Sequence, residues 1–387
     1  MQRIAVAWLA WELTGSALWV GMVAFADLAP AVIFSPIAGA VADRADRVRL
    51  ATITQSLTAL QATIVATLTW AGVMQIELLI ALEFCAGAVA SFTQPTRQSL
   101  LPGLIPLSDL PAAVAANSLC FNLARFVGPA LAGPIIAVFG VVPAIACNAI
   151  AFLIAAATMP LLNVSPAARR GHPATASLFA DVREGVTYAW RHPGLGPLLL
   201  YAALTCLFLR GVQEILPPFV DRVFGRGAQS LAMLTASFGV GALISGLVVA
   251  GRGRLEGTTR LAIWSVGVQA VATAGFVATS WFPFGLLCAA LIGASASTQG
   301  ISVQVLAQSA STPEMRGRIL SLWGLITRAF PALGALSLGA SGEAFGLRWP
   351  TLVASVLALG LMVWGLGKRK QIEAALEGPA PPLREHG

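Results

Sequence analysis

Residues 17–50 read ALWVGMVAFADLAPAVIFSPIAGAVADRADRVRL, with one ionisable side chain, Asp27, in the first 26 positions and five in the last eight. Twenty-six helical residues rise ~39 Å, more than the ~30 Å hydrocarbon core of a bilayer. The stretch therefore reads as a membrane crossing that ends in a basic loop. The rest of the chain has the same character. Charged residues are 11 % of the 387, hydrophobic residues 57 %, and mean hydropathy is +0.79. A soluble chain of this length needs more charge to cover its surface.

Working outward, apolar runs bounded by charge or by Gly, Pro and Asn turns predict spans at 17–42, 49–71, 76–93, 112–139, 143–163, 195–219, 229–250, 260–280, 283–307, 317–340 and 348–367. Ahead of these eleven lies Ile4–Leu13, followed by Thr14-Gly15-Ser16. Ten helical residues rise only ~15 Å, half a membrane. The first helix is therefore expected to be truncated at its start, its missing half absent or upstream of a wrongly chosen Met1. Arg3 before this brief apolar run faintly resembles a signal peptide, but no convincing cleavage site follows. The 38 Gly and 23 Pro fall inside the apolar runs, as in closely packed membrane helices, and the long runs disfavour a β-barrel.

The arginines set the topology. One side carries Arg44, Arg47, Arg49, Arg97, Arg169, Arg170, Arg183, Arg191, Arg252, Arg254, Arg260, Arg316, Arg318 and Lys368-Arg369-Lys370, and the opposite loops hold Arg222, Arg226 and Arg348. The first side, with the C-terminus, is expected to be cytoplasmic. The net charge of +7 thus reflects membrane orientation, not nucleic-acid binding. Residues 164–194 form the longest polar segment. Within it Ser177–His192 places Leu178, Val182, Val186 and Ala189 at helical spacing, which predicts an amphipathic helix on the inner membrane surface. The expected organisation is an N-terminal bundle 1–163, a cytoplasmic linker 164–194, a C-terminal bundle 195–367 and a cytoplasmic tail 368–387. Arg125-Phe-Val-Gly128-Pro129-Ala-Leu-Ala-Gly133 echoes Arg328-Ala-Phe-Pro331-Ala-Leu-Gly334, suggesting an internal repeat of about half the chain.

The loop Gly39-Ala-Val-Ala-Asp43-Arg44-Ala-Asp46-Arg47 resembles the signature loop of the major facilitator superfamily, with Asp46 where the pattern often has Gly. Gly39 permits close helix contact. Asp43 can accept from a helix N-terminus or an arginine, so that Gly39, Asp43, Arg44 and Arg47 form a conformational latch. The second half lacks the matching Asp, having Ala250. The run with Gly128, Pro129 and Gly133 resembles the Gly-Pro motif of proton-antiporting exporters, although Pro134 replaces a second consecutive Gly. There Gly128 and Gly133 remove bulk where helices cross and Pro129 bends the span. Trp8-Leu9, Glu12-Leu-Thr-Gly-Ser16, Gln94-Pro95-Thr96-Arg97, Ala116-Asn117-Ser118 and Pro313-Glu314-Met-Arg316-Gly-Arg318 narrow the resemblance to the branch of the enterobactin exporter and transmembrane secretion effectors. The resemblance implies an all-α membrane protein of major facilitator fold, two six-helix bundles in parallel pseudo-repeat, with eleven full spans and a half span.

Ionisable residues inside spans are functional hypotheses by default. Asp27, ~15 Å into its span, is the first candidate for a proton-titrating carboxylate, and Glu83 is the second. Arg210 and Glu214, four apart, either pair or present charge to substrate. Arg125 and Arg328 are expected to pair with Asp27 or Glu83. Asn148, Gln299 and Gln304 offer polar contacts or serve as interhelical glue. The five cysteines lie in apolar segments without ligand spacing, and no phosphate-binding loop, nucleophile elbow or metal-spaced His cluster is present. No enzyme, cofactor or metal is implied. The expected protein is a monomeric, multi-pass transporter of the bacterial inner (plasma) membrane, exporting a small amphipathic molecule, drug-like or siderophore, against protons by alternating access. The alternatives are a nutrient-importing facilitator and a truncated, non-transporting membrane protein.

Overall fold

The computed structural model describes residues 1–100, 104, 113, 120, 124, 127–128, 131–162, 164, 178–252 and 255–377, and within these the side chains of 35–36, 39–40, 42–44, 94–95, 98–99, 178–182, 250 and 313–314 lie outside the description. The described residues are helical almost throughout. The first group of helices comprises α1 (Gln2–Thr14), α2 (Ala17–Leu28), α3 (Pro30–Arg44), α4 (Arg47–Trp70), α5 (Ile76–Leu100), a helical stretch at 131–139, and α6 (Val141–Thr158), which tightens into a 3-10 turn at Met159–Leu161. Then comes α7 (Leu178–Arg191). The second group comprises α8 (Leu195–Thr205), a π-turn at Cys206–Arg210, α9 (Gly211–Glu214), α10 (Leu216–Arg222), α11 (Ala228–Arg252), α12 (Thr258–Ala278), α13 (Phe282–Ser309), α14 (Pro313–Phe345) and α15 (Arg348–Leu376).

Nine helical segments among the described residues are long and apolar enough to cross a membrane. The difference from the eleven expected has local causes. Most of 112–139 lies outside the described residues. Helix α4 has the length, 24 residues, but carries buried Thr54, Gln55 and Gln61 on its inner face and so is too polar to be among the nine.

Helix boundaries follow residue chemistry. Gly15 ends α1 at φ 57°, a conformation open to glycine, and its N–H returns to the Trp11 carbonyl. Asp46 opens α4, its carboxylate accepting from the N–H groups of Val48 at 2.9 Å and Arg49 at 3.0 Å. That explains why an Asp stands where the resembled loop often has Gly. The run 17–42 is two helices, because Pro30 has no N–H and the chain steps from α2 to α3 at Ala29. The run 195–219 breaks at Ile215, ahead of Pro217 and Pro218, which cannot donate back to residues 213 and 214.

Helix α15 continues nine residues past the expected boundary at 367. Ile372 and Leu376 share one face and are buried against Leu195 and Leu198. Glu377 then caps α12, accepting from the Gly257 and Thr259 amides, both at 2.6 Å. The amphipathic segment forms α7, whose Glu184 binds Arg318 of α14 at 3.0 Å and whose Gly185 lies against the Arg318 side chain. His192 follows, and its Nδ1 accepts from the Gly194 and Leu195 amides, both at 3.2 Å, at the start of α8.

Within each group the helices pack on one another, and among the described residues the groups meet chiefly along α2 and α14. That seam depends on missing side chains. A Cβ on Gly21 would stand 2.6 Å from the Ala335 carbonyl oxygen, and one on Gly339 2.6 Å from that of Ala17. Gly339→Val should therefore force α2 and α14 apart, at a cost of about 1–3 kcal/mol seen as a lower thermal midpoint in detergent. An unchanged midpoint would mean that the helices separate freely.

Burial lowers the His192 pKa, so the folded state holds fewer protons than the unfolded state as pH falls below the usual imidazole value of 6.5. The cap is complete above that pH and is lost as pH drops through the lowered value. Protection of the Gly194 and Leu195 amides against hydrogen exchange, corrected for intrinsic rates, should then fall. Protection independent of pH down to 4.5, or roughly two units below the usual imidazole value, would refute the cap.

Candidate functional site

The first turn of α1 places Gln2 and Arg3 among the interiors of α2, α4, α5 and α6. Arg3 Nη2 donates to Asp27 Oδ2 at 2.9 Å, and Nη1 stands 3.6 Å from Glu214 Oε1. One guanidinium thus joins a carboxylate of the first group to one of the second. Behind it runs a chain of amides. Asn148 Nδ2 donates to Gln2 Oε1 at 2.6 Å, Gln2 Nε2 to Gln61 Oε1 at 2.8 Å, and Gln61 Nε2 to Glu83 Oε1 at 2.9 Å. Glu83 is 5 % exposed, and a buried carboxylate needs such donors to hold its place. Gly87, one turn on from Glu83, lets α5 approach until a Cβ there would overlap the Asp27 carbonyl oxygen. This contact brings the two acids to one site.

Gln2, Arg3, Asp27 and Glu83 line a cavity of about 270 Å³. Glu83, Ala86, Ala90, Thr93 and Arg97 follow the 3-and-4 spacing of one face of α5, so the cavity extends toward the end of the molecule that carries Arg97. Gln55 and Thr58 of α4, Phe152 of α6 and Arg328 of α14 complete its wall. The Arg3 side chain is 60 % exposed because it opens into this space.

At the opposite end the two groups are clamped. Arg222 Nη2 donates to the Gly15 carbonyl at 2.6 Å, and its guanidinium lies 5.0 Å over the Trp11 ring. Trp11 Nε1 donates to Asp221 Oδ2 at 3.2 Å. Glu343 Oε2 accepts from the Ser16 hydroxyl at 3.2 Å and the Ala17 amide at 3.1 Å, with Arg222 Nη1 at 3.8 Å. Every one of these contacts except Arg222 with Glu343 links residues 11–17 to the second group.

The expected site residues separate accordingly. Asp27, Glu83 and Arg328 line one cavity, and Glu214 reaches it through Arg3. Asp27 takes Arg3 as its partner; Arg125, expected to pair with Asp27 or Glu83, lies outside the described residues, and Arg328 lines the wall. Arg210 donates to the Ala296 carbonyl at 3.1 Å while Glu214 faces Arg3, so the two are not a pair. Arg210 closes the π-turn and points to α13, whereas Glu214 ends α9 and meets α1. Gly133 sits where 131–139 meets α11, against Ala232, and the nearest atom to a Cβ on Gly128 is the Met1 nitrogen at 3.4 Å. Pro129 lies outside the described residues, as do the side chains of Gly39, Asp43 and Arg44; Arg47 is half-buried at the head of α4. Gln299 is fully buried in α13, Gln304 is exposed and Asn148 joins the amide chain.

Arg3 is the residue that sequence reasoning missed. It stands at the head of a short apolar run, where a lone basic residue resembles a targeting signal. The available clue was that Arg3, like Arg125, Arg210 and Arg328, stands among apolar residues and not in a basic loop.

Two groups of membrane-length helices around a charged central cavity, clamped at one end, define a membrane transporter. The chain belongs to the transmembrane secretion effector family of the major facilitator superfamily, whose family model matches residues 1–381. Among its relatives are the staphyloferrin A transporter of Staphylococcus aureus, 25 % identical over 89 % of this chain and 86 % of that protein, and the multidrug efflux pump Tap of Mycolicibacterium fortuitum, 25 % identical over 96 % and 93 %. Macrolide efflux protein A of Streptococcus pyogenes is 21 % identical over 93 % and 90 %. Among solved structures, a bacterial homologue of the human lysosomal transporter Spinster, inward-facing and occupied, matches with TM-score 0.73 at 15 % identity over 98 % of this chain and 95 % of that one. The nucleoside transporter NupG matches with TM-score 0.71 at 15 % identity over 96 % and 95 %. These likenesses show the major facilitator fold. The protein is a multi-span membrane transporter, not an enzyme.

Because Arg3 serves two carboxylates, Arg3→Gln and Glu214→Gln should not act additively on stability. A double-mutant cycle read by thermal unfolding in detergent is expected to give a coupling of about 0.5–1 kcal/mol, modest because Arg3 is solvated. Strict additivity would mean that the 3.6 Å approach contributes nothing.

Proposed function

We propose that this protein exports a small amphipathic molecule across a bacterial plasma membrane in exchange for protons, as a monomer with its basic end and C-terminus in the cytoplasm. The observation that carries this reading is the guanidinium of Arg3 held between Asp27 of one helix group and Glu214 of the other, beside buried Glu83. The efflux activities in the names of the Tap and macrolide relatives support the direction. The excess of arginine at the Arg97 end supports the orientation.

In this mechanism the groups rock about the central cavity. With the clamp at residues 11–17 closed, substrate enters from the cytoplasmic end and rests against Ala86, Ala90 and Phe152, its polar part toward Asp27 and Glu83. Substrate and proton compete for the same carboxylates. Protonating Asp27 releases Arg3 toward Glu214 and changes the relative stability of the two arrangements, which is the differential interaction that a population shift requires. The latch at Gly39, Asp43, Arg44 and Arg47 holds the cytoplasmic end in the other state, and Gly128, Pro129 and Gly133 seal the seam.

Inside-out proteoliposomes with an acid lumen are expected to accumulate a fluorescent lipophilic cation in proportion to the imposed pH gradient. Asp27→Asn and Glu83→Gln should each reduce that uptake roughly tenfold or more, the rate equivalent of at least about 1.4 kcal/mol. Uptake that ignores the gradient, or that persists in both variants, would overturn proton coupling at this site.

A further inference from the structure

A second cavity, of about 470 Å³, lies between α11 and α13, away from the central site. Its origin is steric. At mid-height a Cβ on Gly241 would overlap the Ala290 carbonyl oxygen and one on Gly293 that of Phe238, so these backbones touch. Toward the basic end the facing side chains Ser245, Ala294 and Thr298 are small, and a groove opens between the helices. Its outer wall includes Ile244 and Val248, 57 % and 63 % exposed, which in a spanning helix means facing lipid.

The groove has the dimensions of one leaflet. From Gly241 to Arg252 are eleven residues, ~16 Å of helix, about half of the ~30 Å hydrocarbon core. Arg252 lines its end and is exposed, and Arg260, exposed at the head of α12, adds charge beside it. Among the described residues no carboxylate lines the groove. Of the acids nearby, Glu377 is occupied by the Gly257 and Thr259 amides, and Glu256 lies on the turn between Arg252 and Arg260.

We propose that this groove is a binding site for an anionic glycerophospholipid, one acyl chain lying along Ile244 and Val248 and the phosphate on Arg252. The arginine fork matches phosphate oxygens in geometry and charge, and basic pockets between spans favour anionic headgroups. An apolar channel that ends in a cation at headgroup depth suits a molecule with those two parts in that order. The site is independent of the central cavity and of proton coupling.

The test is native mass spectrometry of the delipidated full chain titrated with phosphatidylglycerol or phosphatidylcholine of equal chain length. The variants are Arg252→Gln, Ser245→Phe to fill the groove, and Arg183→Gln as a basic-end control. The expected result is one retained phosphatidylglycerol, preferred over phosphatidylcholine by about fivefold, the equivalent of ~1 kcal/mol for one arginine at the surface. Arg252→Gln should abolish the preference, Ser245→Phe should abolish retention of both lipids, and Arg183→Gln should change neither. Retention unaltered by Ser245→Phe would overturn the groove as the seat of the lipid. Equal affinity for both headgroups in the unsubstituted protein would overturn the role of Arg252. If Ser245→Phe leaves phosphatidylglycerol retention intact but weakens binding of the lipophilic cation, the groove is a transport-substrate site and the proposal fails.

Discussion

Inside a bilayer, apolar surface gains nothing by moving from lipid to protein, so helices associate only as far as their backbones approach and their polar groups meet. This chain meets that constraint with glycine at the crossings. Gly21 and Gly339 bring α2 and α14 together, Gly241 and Gly293 join α11 to α13, and Gly211 and Gly334 set the π-turn region against α14. The same device builds the site. Without the contact of Gly87 on the Asp27 carbonyl, the acid of α2 and that of α5 would be separated by a layer of side chains.

Polar contacts across the seam then divide the labour by depth. At the clamped end the partners include backbone groups at the junction of α1 and α2, which Arg222 and Glu343 satisfy. At the centre the contact is a single cation between carboxylates, Arg3 with Asp27 and Glu214. A clamp made of several modest, partly solvated contacts can open without any one of them dominating the barrier. Two acids that share one cation are coupled, because a change at either alters the charge that the other faces.

The helices were legible because their length, apolarity and breakers are properties of contiguous residues. Pro30 and the Pro217-Pro218 pair mark breaks that hydropathy alone smooths over, and Ile372 and Leu376 show that α15 outlasts its apolar core, four residues apart on a face that needs a partner. Asp46 was visible as a departure from a loop pattern, and its reason is the cap it gives α4. Asp27 and Glu83 stood out as acids in apolar runs. Their environment did not, since Gln2, Gln61 and Asn148 are ordinary amides until α1, α4 and α6 bring them into line.

Neighbouring residues alone specify a bundle of membrane-crossing helices, the end at which arginine collects, and the family to which the loop motifs point. Tertiary contacts alone put Arg3 between Asp27 and Glu214, give Arg210 and Glu214 different partners, and pin the two groups at the end away from Arg97. Arg3 finds Asp27 at a separation of 24 residues and Glu214 in the other half of the chain. Such contacts depend on helix rotation and crossing, and no local periodicity encodes them.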